Sequence, residues 1–158
     1  YFPKNYPFAF TNSVHCSHLE VDITTGFIKL LKHWAVEDCG TVINPQSVDD
    51  QVRGGVAQGI GGALYEECLY NDKGQLLNGN LADYLVPMAV ELPDIEVGHV
   101  ESRTFDSDLG AKGAGEAGTA GSPAAIMNAI NDALSPLGAK VTTQPFTPQR
   151  ILEVLGKV

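Results

Sequence analysis

Apolar and polar positions alternate from His18 onward, with Leu19, Val21 and Ile23 on one face and Glu20 and Asp22 on the other. A period of two marks a half-buried strand. Thr24-Thr25-Gly26 supply turn chemistry, and Ile28 to Val36 return as a more continuously apolar run, so this region predicts a β-hairpin. Asp38-Cys39-Gly40 close the second strand, and the period then changes. After Asn44-Pro45, an N-cap followed by proline at the first helical position, Val48, Val52, Val56, Ile60 and Leu64 recur at helical spacing. The opposite flank of this helix carries Gly54, Gly55, Gly59, Gly61 and Gly62. Each interior glycine costs about 1 kcal/mol relative to alanine, so a partner must approach the helix closely enough to offset the loss. Gln58 stands among them, an amide with two donors and an acceptor.

Further along, Asn71-Asp72-Lys73-Gly74 reads as a turn between two short strands. Leu81 to Val90 has no clear period, and Pro87 argues against a long helix there. Ile95 to Val100 alternates as another strand. Pro123 to Leu134 is alanine-rich and apolar almost all round, which predicts a buried helix. A short strand is expected near Val141, and Thr147-Pro148 should cap a last helix that turns Ile151, Leu152 and Leu155 inward. The opening, Tyr1 to Thr11, has two prolines and five aromatic residues without a period, the pattern of an extended arm that packs on something. The fold class is therefore α+β: β-hairpins and short strands packed with a glycine-rich helix, a buried alanine-rich helix and a C-terminal helix.

Composition narrows the possibilities. The chain has 158 residues, enough for one domain with a real core, and a net charge of −9 with no Lys/Arg cluster. Such an acidic surface is a poor partner for nucleic acid or an anionic membrane. No apolar run is long enough to cross a bilayer, and no basic segment precedes an apolar one as in a signal peptide. Cys16, Cys39 and Cys68 are odd in number and widely spaced, which fits a reducing, cytoplasmic setting better than a disulfide framework. The first residue is Tyr1 rather than methionine, as expected if residues were removed or if this is one piece of a longer polypeptide.

Candidate chemistry concentrates in Gly110 to Gly121, a run of glycines and alanines with only Lys112 and Glu116 charged. Glycine is costly to order, so the run reads as a flexible collar ahead of a helix that Ser122-Pro123 begin. It contains Gly113-Ala114-Gly115-Glu116-Ala117-Gly118, which matches the dinucleotide fingerprint G-x-G-x-x-G. The context opposes that reading: no apolar strand enters it, a carboxylate would repel the phosphates, and too little chain follows for a Rossmann unit. His15-Cys16-Ser17-His18 suggests a metal only faintly. On a strand Cys16 and His18 share a face while His15 points away, and no second cluster completes the ligand set. Glu116 is the stronger candidate, because its small neighbours leave the carboxylate open to a ligand. Once enclosed, a carboxylate is desolvated toward the pKa that a general base needs. The plainer alternative is a solvated loop glutamate.

Three motifs in order sharpen this picture: Asp38-Cys39-Gly40 with Asn44-Pro45, the segment Gln51 to Glu67, and Gly110 to Gly118. With Leu19-Glu20-Val21-Asp22, Thr25-Gly26 and the Pro123 to Asp132 helix, they resemble the xanthine dehydrogenase and aldehyde oxidase family of molybdenum hydroxylases. More narrowly, residues 1–158 resemble the C-terminal segment of a bacterial large, molybdopterin-binding subunit. The resemblance implies oxidation of an aldehyde or an N-heterocyclic or aromatic substrate, with water as the oxygen source and Glu116 as general base beside the molybdenum. It implies cofactor contacts from Gln58 and from the backbone around Gly113, Ala114 and Gly115, and a glycine-rich helix flank against which the pterin lies. No side chain of this segment is implied as a metal ligand. The cofactor is molybdopterin, in mononucleotide or cytosine dinucleotide form. The implied partners are the upstream part of the large subunit, an iron–sulfur subunit with [2Fe-2S] clusters and an FAD subunit, in a hetero-oligomer. Ala117-Gly118 after Glu116 departs from the proline of the animal xanthine enzymes, which points away from xanthine as substrate. A reading from another class is a non-catalytic assembly module whose glycine-rich surfaces dock neighbouring subunits.

Overall fold

The computed structural model describes residues 9–158. The expected arm therefore falls mostly outside the described residues; of its end, Phe10 is exposed and Thr11 Oγ1 donates to the Asp38 carbonyl. Strands β1 (Asn12–Val21) and β2 (Ile28–Asp38) form the expected hairpin, antiparallel, and β3 (Asp94–His99) joins β2 in parallel on its other edge. Helices α1 (Pro45–Leu64) and α2 (Ala117–Leu134) stack on one another beside the inner face of this sheet. The short helix α3 (Pro148–Val154) closes the far end.

Helix α1 forms as its sequence dictates. Asn44 Oδ1 accepts from the Ser47 amide, Pro45 follows at the first helical position, and Val52, Val56, Ile60 and Leu64 are buried. Thr147 caps α3 in the same way by accepting from the Arg150 amide, and Ile151 is buried beneath it. The core joins these residues to Leu30, Ala35 and Ile95 of the sheet, Ile126, Ile130 and Leu134 of α2, and Phe146.

Several expectations fail for identifiable reasons. The second strand is interrupted at Leu31: His18 pairs with Lys32 and Leu19 with Leu30, so Leu31 is the extra residue of a β-bulge. A bulge reverses the inward-facing parity of a strand. Leu30 and then His33, Ala35 and Glu37 are consequently all buried, and two of these are polar. The two strands expected around Asn71 reduce to one isolated bridge, Tyr70 to Leu76, since the Asn71 side chain takes the amides of Lys73 and Gln75. No strand forms at Val141; the Asn131 amide pairs with both its N–H and its carbonyl and takes the place of a neighbouring strand.

The alanine-rich helix departs most. It begins at Ala117, six residues before Pro123, so half of the supposed collar is its first turns. It is not buried all round either: Gly118, Ser122, Ile126, Ile130 and Leu134 are buried while Ala120, Ala124, Asn128 and Asp132 are exposed.

A glycine-lined helix crossing carries the Glu116 loop

The glycines explain why α2 can start so early. A Cβ on Gly118 would lie 2.2 Å from the Val52 carbonyl oxygen, one on Gly55 3.0 Å from the Thr119 nitrogen, and one on Gly59 2.7 Å from the Ser122 Cβ. The two helices touch backbone to backbone, and only glycine permits that approach. This corrects the expectation that the flank glycines of α1 serve the pterin. Gly55 and Gly59 serve α2, and Gly61 backs onto Glu66 and Pro87. Only Gly54 and Gly62 face open space, one helical turn to either side of exposed Gln58.

Ahead of α2, the loop is anchored at both ends. Gly40 pairs with Ala111, and the Lys112 amide donates to the Cys39 carbonyl at 2.6 Å. Asp38 holds the same corner: its Oδ1 accepts from the Gly40 and Ser102 amides, and its Oδ2 meets Lys112 Nζ at 3.1 Å. The Ser102 amide first, with the Gly40 amide and the Lys112 ammonium, outweighs desolvation and holds the Asp38 carboxyl well below the usual carboxylate range. At the far end, Gln51 Nε2 donates to the Gly115 carbonyl, and the Thr119 and Ala120 amides donate to that of Glu116.

Between these anchors lie the predicted site residues. Gly113, Gly115 and Glu116 are exposed and Ala114 is partly so. Nothing stands within 4 Å of where a Cβ on Gly113 or Gly115 would lie. The carbonyls of Ala114, Gly115 and Glu116 are engaged, whereas the amides of Gly113, Ala114 and Gly115 find no acceptor among the described residues. Glu116 occupies the N-cap position, yet its carboxylate makes no capping bond. Gln58 Oε1 accepts from Thr119 Oγ1 at 3.3 Å, which brings Gln58 to the first turn of the helix that Glu116 precedes. Thus the structure gathers Gln58, the Gly113–Gly115 backbone and Glu116 at one open mouth. The expected enclosure of Glu116 is not supplied by the described residues.

Sequence reasoning missed the polar groups behind this mouth. His33 is fully buried; its Nε2 meets His15 Nδ1 at 3.1 Å and its Nδ1 meets Ser17 Oγ at 2.8 Å. His15 Nε2 lies 3.0 Å from the Ala117 carbonyl, which can only accept, and that fixes a proton on Nε2. Both rings are then neutral: His33 Nε2–H donates to His15 Nδ1 and the Ser17 hydroxyl to His33 Nδ1. Burial, then the neighbouring His15 ring, pushes His33 down to about 4, and burial lowers His15 against the bond to Ala117. Cys16 and His18 point to the exposed outer face, away from His15. Among the described residues no three His, Cys, Asp or Glu side chains are placed to hold a metal ion.

A second network ties β2 and β3 to α1. His99 Nδ1 lies 2.6 Å from Oε1 of Glu37, which is 1% exposed, and His99 Nε2 lies 2.5 Å from Asp49 Oδ1. Burial opposes charging of His99, but the two carboxylates outweigh it and raise its pKa. Burial and the nearby Glu37 push the Cys39 thiol up to about 11, so it is an inert core residue.

The mouth suits a flat, polar, anionic cofactor: open backbone donors at a helix start, glycines without side chains beside it, and one amide between them. A molybdopterin cofactor-binding domain model matches residues 2–93. The chain is 43% identical over 143 residues to the nicotine 6-hydroxylase large subunit of Paenarthrobacter nicotinovorans, covering 90% of this chain and 18% of that one. Similarity to the carbon monoxide dehydrogenase large chain of Afipia carboxidovorans is 33% over 156 residues, covering 98% of this chain and 19% of that one. Quinoline 2-oxidoreductase from Pseudomonas putida 86 superimposes with a TM-score of 0.90 at 42% identity, covering 93% of this chain and 19% of that chain. The chain thus spans about a fifth of the length of these relatives. It belongs to the molybdopterin cofactor-binding family, the large-subunit family of the xanthine dehydrogenase and aldehyde oxidoreductase type of molybdenum enzymes.

Proposed function

We propose that this chain is the C-terminal segment of the large subunit of a molybdenum hydroxylase that oxidises an aldehyde or, more specifically, an N-heterocyclic aromatic substrate. Water is the oxygen source and Glu116 the general base. The observation that carries the reading is a bare carboxylate on a rigid mount: Glu116 has no partner, while the residues on both sides of it are pinned. A structural glutamate at an N-cap would bond the helix amides that this one ignores. The preference for N-heterocycles rests on the relatives named for nicotine and quinoline, which are more similar than the one named for carbon monoxide.

When bound, the molybdopterin supplies the two-electron redox chemistry. Gln58 and the free amides of Gly113, Ala114 and Gly115 would hold it. Glu116 would accept and return the proton at its carboxylate, and its fixed backbone would orient that carboxylate. The cytosine dinucleotide form, [2Fe-2S] and FAD subunits in a hetero-oligomer, and a cytoplasmic location complete the proposal. It draws support from relatives named as large chains or as one subunit of a complex.

Replacing Glu116 by Gln in the assembled enzyme removes the base and keeps the shape. We expect kcat/KM to fall about 10²-fold or more with molybdenum and pterin content unchanged; near-normal turnover would sink the assignment.

The assembly reading finds its own observation at the surface. Leu81, 84% exposed, lines an apolar groove of about 540 Å³ together with Tyr65, Tyr84, Leu85, Val86 and Met88. A groove of this kind suits the upstream part of the same subunit as its cover. The two readings are compatible, since the groove residues are distinct from those of the Glu116 loop.

A further inference from the structure

We infer that His15 and His33 are positioning residues for Glu116, forming a neutral imidazole pair that fixes the first turn of α2 from inside the sheet. The inference rests on the reading of Glu116 as the base and deepens it. The Glu116 carboxylate makes no capping bond, so it is aimed through the backbone on either side of it, where Gln51 holds the Gly115 carbonyl ahead and a second anchor holds the residue that follows. The next residue, Ala117, is 2% exposed, and its carbonyl is held by His15 Nε2 at 3.0 Å. Behind His15 stands His33, and behind His33 the Ser17 hydroxyl, so every ring nitrogen has a defined role.

A steric observation supports the same conclusion independently. A Cβ on Gly121 would lie 2.2 Å from His15 Cδ2, so the helix gives up a side chain where the ring passes. Ser122, fully buried, directs its hydroxyl to the Gly118 carbonyl at 2.6 Å and lies 3.3 Å from His15 Nδ1 and 3.4 Å from His33 Nε2. Two imidazoles buried together are expensive when they merely fill space, because apolar residues of that volume need no partners. Their partners here lead from the sheet to the residue after Glu116. The charged groups nearest in the fold, Glu37, His99 and Asp49, are engaged with one another.

The test is a double-mutant cycle in the assembled enzyme, with amide exchange of residues 117–121 followed in parallel on cofactor-free protein. His15→Leu is expected to lower kcat about 10-fold or more with KM nearly unchanged, as small misplacements of a reacting group do. His15→Gln, whose amide can still donate to the Ala117 carbonyl, should recover most of that loss. In a Glu116→Gln background His15→Leu should cost less than about twofold, because the group it aims is already gone. Exchange at 117–121 should quicken in His15→Leu and return toward wild type in His15→Gln. Equal losses in both backgrounds, or unchanged exchange, overturn the positioning role while leaving Glu116 as base. A Glu116→Gln enzyme with normal turnover overturns the underlying reading instead. Should His15→Leu fail to assemble, Ser17→Ala, which frees His33 at the end farthest from Ala117, is read through the same cycle with the same two outcomes.

Discussion

Two regions of this chain handle their unsatisfied groups in opposite ways. Around the α1–α2 crossing and the inner sheet face, polar groups are enclosed and, except for Oε2 of Glu37, paired, with His33, Glu37 and Ser122 almost wholly buried. Along residues 69–92 and 103–109, apolar groups are left outside: Leu81, Leu85, Val86, Met88, Val90 and Phe105 are all more than half exposed. That second region is internally braced, since Asn78 bonds the Leu69 amide and the Glu67 carbonyl, and Tyr84 donates to Glu66 at 2.7 Å. It is therefore shaped without being covered. The difference separates two tasks: the chain braces the Glu116 loop from within, and on the proposed function the uncovered apolar region is where another part of the assembly docks.

The strongest way to break the contrast is to crowd the crossing. Gly118→Val would drive a side chain into the Val52 carbonyl, which is backbone and cannot step aside. Overpacking of this sort costs about 3 kcal/mol or more, and denaturant unfolding should show it. Gly54→Ala is the counter-test on the same helix, where nothing occupies the space a Cβ would take. It should stabilise the protein by about 0.5–1 kcal/mol through helix propensity. Reduced pterin content in that stable variant would locate the cofactor over the Gly54–Gln58–Gly62 face.

Next in size is the front anchor. Asp38→Asn keeps an acceptor for the Gly40 and Ser102 amides but loses the ion pair with Lys112, whose two side chains are only 14% and 10% exposed. A loss of about 1–3 kcal/mol is expected from hydrogen-bonded charges at this depth. Its pH dependence follows from the depressed carboxyl: the contribution is fully present above the unfolded pKa near ~4 and disappears as pH falls through the lower folded value. If Asp38→Asn and wild type lose stability in parallel as pH falls below ~4, this anchor is not what holds the loop.

Much of the first region was legible in the sequence, and the reasons it was not wholly so are specific. The stripe Val52, Val56, Ile60 and Leu64 and the caps Asn44 and Thr147 are local signals, and local structure obeyed them. Gln58 and Glu116 were singled out for their chemistry, and both lie at the first turn of α2. Buried His33 was not, because a single extra residue at Leu31 inverts which side chains of β2 face inward, and nothing in an alternation pattern announces a bulge. The start of α2 was misplaced because glycine propensity was counted and the partner helix that makes glycine useful could not be seen. The uncovered apolar face left only a weak trace, the lack of any period between Leu81 and Val90, since its apolar residues do not pack against one face of a regular element.

The two histidine networks should divide the pH range between them. His99 has a raised pKa, so its bonds to Glu37 and Asp49 contribute fully below the unfolded value near ~6.5 and fade as pH rises through the folded value above it. His33, pushed down to about 4, acts the other way. The unfolded chain takes up a proton that the folded chain refuses, so stability falls as pH drops from ~6.5 toward about 4. His99→Asn should flatten the alkaline limb of an unfolding-midpoint profile and His33→Asn the acidic one. Exchanged assignments would mean that the buried pair is charged in the folded state.

The smallest effect on the chain itself should come from the open region, and this makes it the sharpest discriminator. Val86→Asp adds a charge to a residue that is 52% exposed, and a substitution there normally changes stability by less than about 0.5 kcal/mol. If nothing covers the groove, stability, cofactor content and turnover should all stay near wild type. If the upstream part of the subunit docks there, the charge must be desolvated at the contact, where no cation among the groove residues can pair with it. Cofactor content and turnover should then drop together, although the altered region keeps its fold by circular dichroism. Glu91, which already lines this groove, points to the conservative control: Glu91→Gln removes a charge rather than adding one and should leave assembly intact. Loss of assembly in Val86→Asp but not in Glu91→Gln would show that the part of the assembly docking in this groove meets it with an apolar surface.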